Sequence, residues 1–282
     1  MVAAHTPTVI GRHVALRLRA LREATGLSFA DVERLSKPSG NKIGEQKVRR
    51  IERAEVRPER TDIETLLGIY GVPYAEAKVI LEQFDLSWQS GWWLSYPDIV
   101  VGPFVSFERE AEQIRTWQPY VFPGLFQTDA YAWAMVTAGM PHISEEEAER
   151  RVRVRAERRT VVTGKAPQIH AVLGEAALRQ AIGGEDVMRR QLRHLLEVAE
   201  LPNVTLQVLP FSARAHAGLT GPSVILSFAE GIFHDVVYVD GPGAGWYGET
   251  ERDLEVFTLL WGDVADAALP PEDSVAIVAA LA

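Results

Sequence analysis

The chain of 282 residues contains no cysteine. That excludes disulfides, thiolate nucleophiles and cysteine-held zinc, and it fits a reducing compartment, so the expected location is the cytoplasm. Long apolar runs are missing too. No stretch reaches the roughly 18 apolar residues that a spanning helix needs, so no membrane association is expected. The N-terminal stretch MVAAHTPTVIGRHVALRLRA lacks a charged segment followed by a purely apolar one, and no signal peptide is expected. Histidine is scarce, with 7 in the chain, and no two stand at H-x-x-x-H spacing around an acid. No serine sits in G-x-S-x-G, and no paired carboxylates have a readable acid–base context. We therefore expect no catalysis, no metal and no cofactor. What is present is apolar material, 47% of the chain, in a length exceeding one ordinary domain of roughly 100–200 residues.

The net charge is −9, an unpromising balance for a partner of nucleic acid. Its distribution is uneven. Residues 12–60 hold 13 Lys and Arg against 7 Asp and Glu, a balance of +6, whereas residues 87–282 hold 15 against 26, a balance of −11. The positive field lies where phosphates would need it.

Within the basic region, residues 26–58 read GLSFADVERLSKPSGNKIGEQKVRRIERAEVRP. Gly26 ends a helix and Ser28 caps the next, in which Phe29, Val32 and Leu35 share a face. Lys37 to Asn41 cannot continue it, because proline clashes with the preceding turn. A second helix begins near Gly44. Val48 and Ile51 point inward, and Glu45, Gln46, Lys47, Arg49, Arg50 and Arg53 stay outside. This is a helix-turn-helix whose second helix suits a major groove.

These residues resemble the Cro/phage-repressor-like (Xre) regulators, whose recognition helix and exit turn are matched by VRRIERAEVRPE. The resemblance implies base contacts from Glu45, Gln46 and Arg50, with Lys47 and Arg49 near phosphates. It also implies a structural ion pair between Arg22 and Glu52. Arg53 joins Lys47 and Arg49 as an expected source of salt-dependent affinity. The turn from Leu35 to Glu45 is longer than the family's, and Phe29 stands where a phosphate-binding glutamine is common.

Outside this motif, a first helix spans about Gly11 to Thr25. Thr61 is expected to cap a fourth, and a fifth runs from Ala75 to about Leu86. Residues 1–86 thus form a five-helix DNA-binding domain. Residues 87–103, with Trp92 and Trp93, read as a Trp-rich linker. Residues 104–282 read as a larger effector- or partner-binding domain, so the fold class is α+β. In it we expect an amphipathic helix from Phe104 to Trp117 and an arginine-rich helix after Ser144, its charges paired within the helix. Strands are expected near 168–173, 204–209, 223–228 and 236–239, and helices at 175–182, 185–200 and 249–264. They imply a small mixed sheet with helices packed on it. Gly243, Gly245 and Gly248 satisfy G-x-G-x-x-G, but no further strand follows, so we read a loop.

The blocks GWW near 91, VFPGLFQTDAYA near 121, GEAALRQAIGG near 174 and MRRQLRHLLEVAELPNVTLQVLPF near 188 resemble a C-terminal domain of unknown function. It follows a helix-turn-helix in many actinobacterial regulators. The resemblance implies a transcription factor, abundant in streptomycetes, often encoded beside a small partner protein. His170, Glu175, Arg179, His216, Trp246 and Tyr247 are candidates for a ligand pocket at one end of the sheet, with Trp92 and Trp93 as further lining or as packing anchors. The expected function is a sequence-specific regulator binding double-stranded DNA, a homodimer because one short helix reads too few bases. Two alternatives stand beside it: a C-terminal enzyme using His170, Glu175 or His216, and an antitoxin-like adaptor for a small basic protein.

Overall fold

Glycine and serine punctuate the N-terminal helices in the computed structural model, which describes residues 9–86, 92–96, 98–100, 103–163, 167–229, 234–241 and 245–282. Helix α1 (Val9–Thr25) ends at Gly26, whose φ of 70° a side chain would resist. Ser28 opens α2 (Phe29–Ser36) with a reciprocal capping box to Asp31. Helices α3 (Glu45–Glu52), α4 (Arg60–Ile69) and α5 (Tyr74–Leu86) follow. Leu18, Val32, Ile43, Val48, Ile51, Ile63 and Leu66 meet in one core. Two expectations change. Leu35 does not share the buried face of Val32 but is 41% exposed, because two successive three-residue steps carry it about 120° round the helix from Phe29. The cap of α4 is Glu59 rather than Thr61: the Glu59 N–H donates to Asp62 Oδ2 at 2.8 Å, which starts the helix two residues earlier.

The chain divides into two compact units, Met1–Phe107 and Glu108–Ala282. The division falls inside α6 (Phe104–Glu110). Of the Trp-rich segment, residues 87–91, 97 and 101–102 lie outside the described residues. Trp92 and Trp93 form a 3-10 turn, Trp92–Ser95, with their rings edge-on at 6.0 Å.

The second unit is built on a six-stranded sheet. Strands β1 (Gln113–Gln118), β2 (Gln168–Gly174) and β3 (Val204–Leu209) run parallel. Helices α7 (Asp129–Gly139) and α8 (Glu145–Thr163) make the first crossover. The second is made by α9 (Glu175–Arg179) and α10 (Glu185–Ala199). Strands β4 (Ser223–Ser227), β5 (Val236–Val239) and β6 (Trp246–Gly248) then return antiparallel, giving the order β3-β2-β1-β4-β5-β6. Helix α11 (Glu251–Ala267) sets Val264 against Trp117, Val172 and Leu209. Helix α12 (Pro271–Leu281) closes the chain beside β3, where Ser274 Oγ accepts the Val208 N–H at 2.8 Å.

The sheet corrects the expected elements. The spacing of Phe107, Ala111 and Ile114 predicts one helix to Trp117, but only α6 is helical and residues 113–118 are the central strand. All three apolar residues are buried in either geometry, so burial alone does not separate the periods. The expected 175–182 helix stops at Arg179. The run read as a glycine loop contains β6 at Trp246–Gly248, and α11 is not the last helix.

Candidate nucleic-acid interface

Helix α3 is held on three sides. Val48 and Ile51 anchor its inner face. At its N-terminus Gly44 has no side chain to cap with, and α2 supplies one: Glu33 Oε2 accepts the Glu45 N–H at 3.1 Å. That bond holds the Glu33 carboxyl below its usual range. The long turn before α3 is fixed by Ser36 Oγ, which accepts the Ile43 N–H at 2.9 Å, and by Asn41 Nδ2, which donates to Asp62 Oδ1 at 3.2 Å. At the C-terminus the Glu55 N–H reaches back to Arg50 O at 2.8 Å while Ala54 takes a φ of 54°. That is a glycine-type helix exit made with alanine.

Arg22 of α1 grips Glu52 with both fork nitrogens, Nε to Oε1 at 2.8 Å and Nη2 to Oε2 at 2.9 Å. Arg22 is 8% and Glu52 3% exposed, so each charge is tolerable only with the other. The Glu52 hydrogen bond raises the Arg22 guanidinium above its usual value. Burial, then the Glu52 charge, raises the Tyr70 phenol, whose oxygen lies 3.5 Å from Glu52 Oε1.

The outward residues divide in two. Lys47 Nζ donates to Asp62 at 2.8 Å, tying α3 to α4. Burial pulls the Asp62 carboxyl up, but Lys47, the Glu59 N–H and Asn41 outweigh it and hold the group below its usual range. Arg49 lies over the Phe29 ring at 4.0 Å, and Arg22 approaches that ring at 4.1 Å. Glu45 reaches Arg49 at only 3.9 Å. Gln46, Arg50 and Arg53, spaced four and three apart, form one exposed stripe. Among the described residues Gln46 and Arg50 have no partner, and Arg53 has only Glu55 at 3.7 Å. Beside the stripe, an open cleft of about 200 Å³ is walled by Arg19, Arg22, Phe29, Arg49 and Arg53, with Glu23 and Glu52.

The C-terminal candidates do not converge. His170 Nε2 meets Gln207 Oε1 at 2.6 Å, and its ring stands edge-on to Trp261 at 4.7 Å. Burial, then the Arg115 charge, keeps its imidazole pKa low against the Gln207 bond. Glu175 lies beyond the other end of β2, about 16 Å along the strand. It accepts the Phe211 N–H at 2.8 Å and Arg179 Nε at 2.6 Å, which are structural duties. His216 packs edge-on to Trp117 at 5.7 Å. Trp246 and Tyr247 sit on β6, four strands and about 19 Å from β2, against Phe257 and Tyr238. Trp92 and Trp93 belong to the other unit.

Arg115 is absent from the sequence-derived set, although it is His170's register partner on β1. Among the described residues its Nε and Trp261 Nε1 are buried donors without acceptors. A charged residue inside a misread helix left no signal for it. The α8 arginines pair more widely than within their helix. Arg151 and Arg153 take Glu147 and Glu149, but Arg158 grips Glu108 at 2.7 and 2.9 Å and Arg159 takes Asp129 at 2.6 Å.

Residues 101–280 match the family described as a domain of unknown function (DUF5753). The chain belongs to that family. Residues 13–79 of this DUF5753 protein match a helix-turn-helix domain, and they contain every α3 residue described above. No curated protein and no solved structure matches the chain. Among the described residues no helix of the DUF5753 protein is long and apolar enough to cross a membrane.

Proposed function

We propose that this DUF5753 protein is a sequence-specific transcriptional regulator of the Xre type, acting in the cytoplasm as a homodimer on two half-sites of double-stranded DNA. The carrying observation is the Gln46–Arg50–Arg53 stripe of α3, whose first two members are polar, exposed and unpartnered among the described residues. An arginine held this way offers a bidentate grip on guanine, and a glutamine offers one on adenine. Lys47 has a different part: engaged with Asp62, it sets the pose of α3 and adds little to phosphate attraction. Arg49 and Arg53 supply the salt-dependent term. The acidic C-terminal domain is the sensory or partner-binding part.

The test is selection of bound fragments from genomic DNA, then affinity measurements on the recovered operator and its single-base variants. Arg50→Ala is expected to cost about 1–3 kcal/mol and to relax preference at one position. Unchanged affinity and preference would show that α3 does not read bases in this register.

A further inference from the structure

Helix α11 has 17 residues, yet Val264 is its one buried side chain. Its inner residues Leu254, Phe257, Leu260 and Trp261 reach the sheet side and remain partly exposed. Its outer side carries a second stripe, Arg252, Val256, Leu259 and Asp263, at intervals of four, three and four. Val256 is 52% and Leu259 69% exposed. Leu219 is 73% exposed, in a turn tied to this helix by the Ala217 N–H on Asp263 Oδ2 at 2.7 Å. An apolar centre flanked by a cation at one end and an anion at the other is self-complementary.

We propose that a second copy of this chain docks on this stripe, with the two α11 helices antiparallel about a two-fold axis between Phe257 and Thr258. That axis sets Val256 against the partner's Leu259, and Arg252 against the partner's Asp263, each contact made twice. Parallel pairing would put Arg252 on Arg252 and Asp263 on Asp263, so charge selects the antiparallel form. Among the described residues no acid pairs with Arg252. Asp263 already accepts Arg214 Nη2 at 2.6 Å, and its side chain remains 34% exposed. The stripe is about 17 Å long and, even with Leu219, smaller than the roughly 800 Å² per partner of a standard interface. The free pair is therefore weak, and two half-sites on one duplex complete it. The proposal rests on the homodimer reading and names its surface.

Sedimentation velocity of the full chain without DNA tests it. The natural chain is expected to show a concentration-dependent monomer–dimer equilibrium. Leu259→Asp is expected to raise the dissociation constant on the order of tenfold or more, with the circular dichroism unchanged. Arg252→Glu should weaken the dimer in the same direction. Because the chain has no cysteine, a double variant, Val256→Cys with Leu259→Cys, reports directly, since each thiol then faces the partner's other thiol across the axis. Oxidation should give a covalent dimer, and Arg190→Cys on α10 should not. A natural chain that stays monomeric, a Leu259→Asp variant that dimerises unchanged, or equal cross-linking of the double-cysteine variant and of Arg190→Cys would overturn the proposal. Operator binding is measured separately. If the chain binds no duplex while Leu259→Asp breaks the dimer, the surface stands and the regulator reading falls. If it binds duplex while Leu259→Asp leaves self-association intact, the surface alone falls.

Discussion

Arg22→Ala is the sharpest test of how the recognition helix is held. The substitution removes the two charged bonds to Glu52, at 2.8 and 2.9 Å, and a third to Leu27 O at 3.1 Å. It leaves a carboxylate that is 3% exposed facing, among the described residues, only a phenol oxygen at 3.5 Å. Breaking one side of a buried pair costs about 3–5 kcal/mol. A small domain has only about 5–15 kcal/mol in total. At roughly 4–8 °C per kcal/mol for this size, melting of the N-terminal helices should fall by at least about 12 °C. Scanning calorimetry and far-ultraviolet dichroism of the full chain read this out, the second unit serving as internal reference. Arg22→Met with Glu52→Leu removes both charges and should recover most of the loss, because no charge is left buried alone. A single-variant cost below about 1 kcal/mol, or a double variant no better than the single, would refute the reasoning.

Three further outcomes are expected. Lys47→Ala should cost about 1–3 kcal/mol in folding but leave the slope of DNA affinity against salt nearly unchanged, because its ammonium is spent on Asp62. The Asp62 carboxyl is held below 3.8, so its stability contribution is complete above that pH and fades as the pH falls through the lowered native value; Lys47→Ala should shrink that acid-dependent loss in urea titrations. Ala54→Gly should stabilise the N-terminal unit by about 0.5–1 kcal/mol, since φ of 54° is a left-handed conformation that glycine adopts without strain, and a lowered urea midpoint would contradict this. His170 is depressed from 6.5, so the second unit should lose stability as the pH falls below that value, the unfolded chain taking the proton first; His170→Asn should flatten the dependence, and an unchanged slope would assign it elsewhere.

Much of the first unit was legible because its signals are local. Gly26, Ser28 and Pro38 act on their own backbone, and Val48 and Ile51 need only helical spacing. What was not legible there is who partners whom. Lys47 and Arg50 are both basic surface positions of one helix by sequence. Only the arrival of Asp62 from α4, 15 residues away, separates a structural tether from a free reader. The same holds for Glu33, which stands apart from α3 in sequence and caps it in space.

In the second unit the sequence by itself determined the composition of a mixed sheet with covering helices, through alternation at 204–209 and helical spacing at 185–199. Tertiary structure decided which apolar run became the central strand. Residues 113–118 satisfy both periods locally, and β2 and β4 settle it by completing their hydrogen bonds on either side. Tertiary structure also scattered the expected pocket. Strand order puts His170 and Trp246 four strands apart, and strand order is set by crossovers between distant segments, which no short motif encodes. Local backbone preferences are written residue by residue, whereas proximity depends on where the whole chain turns.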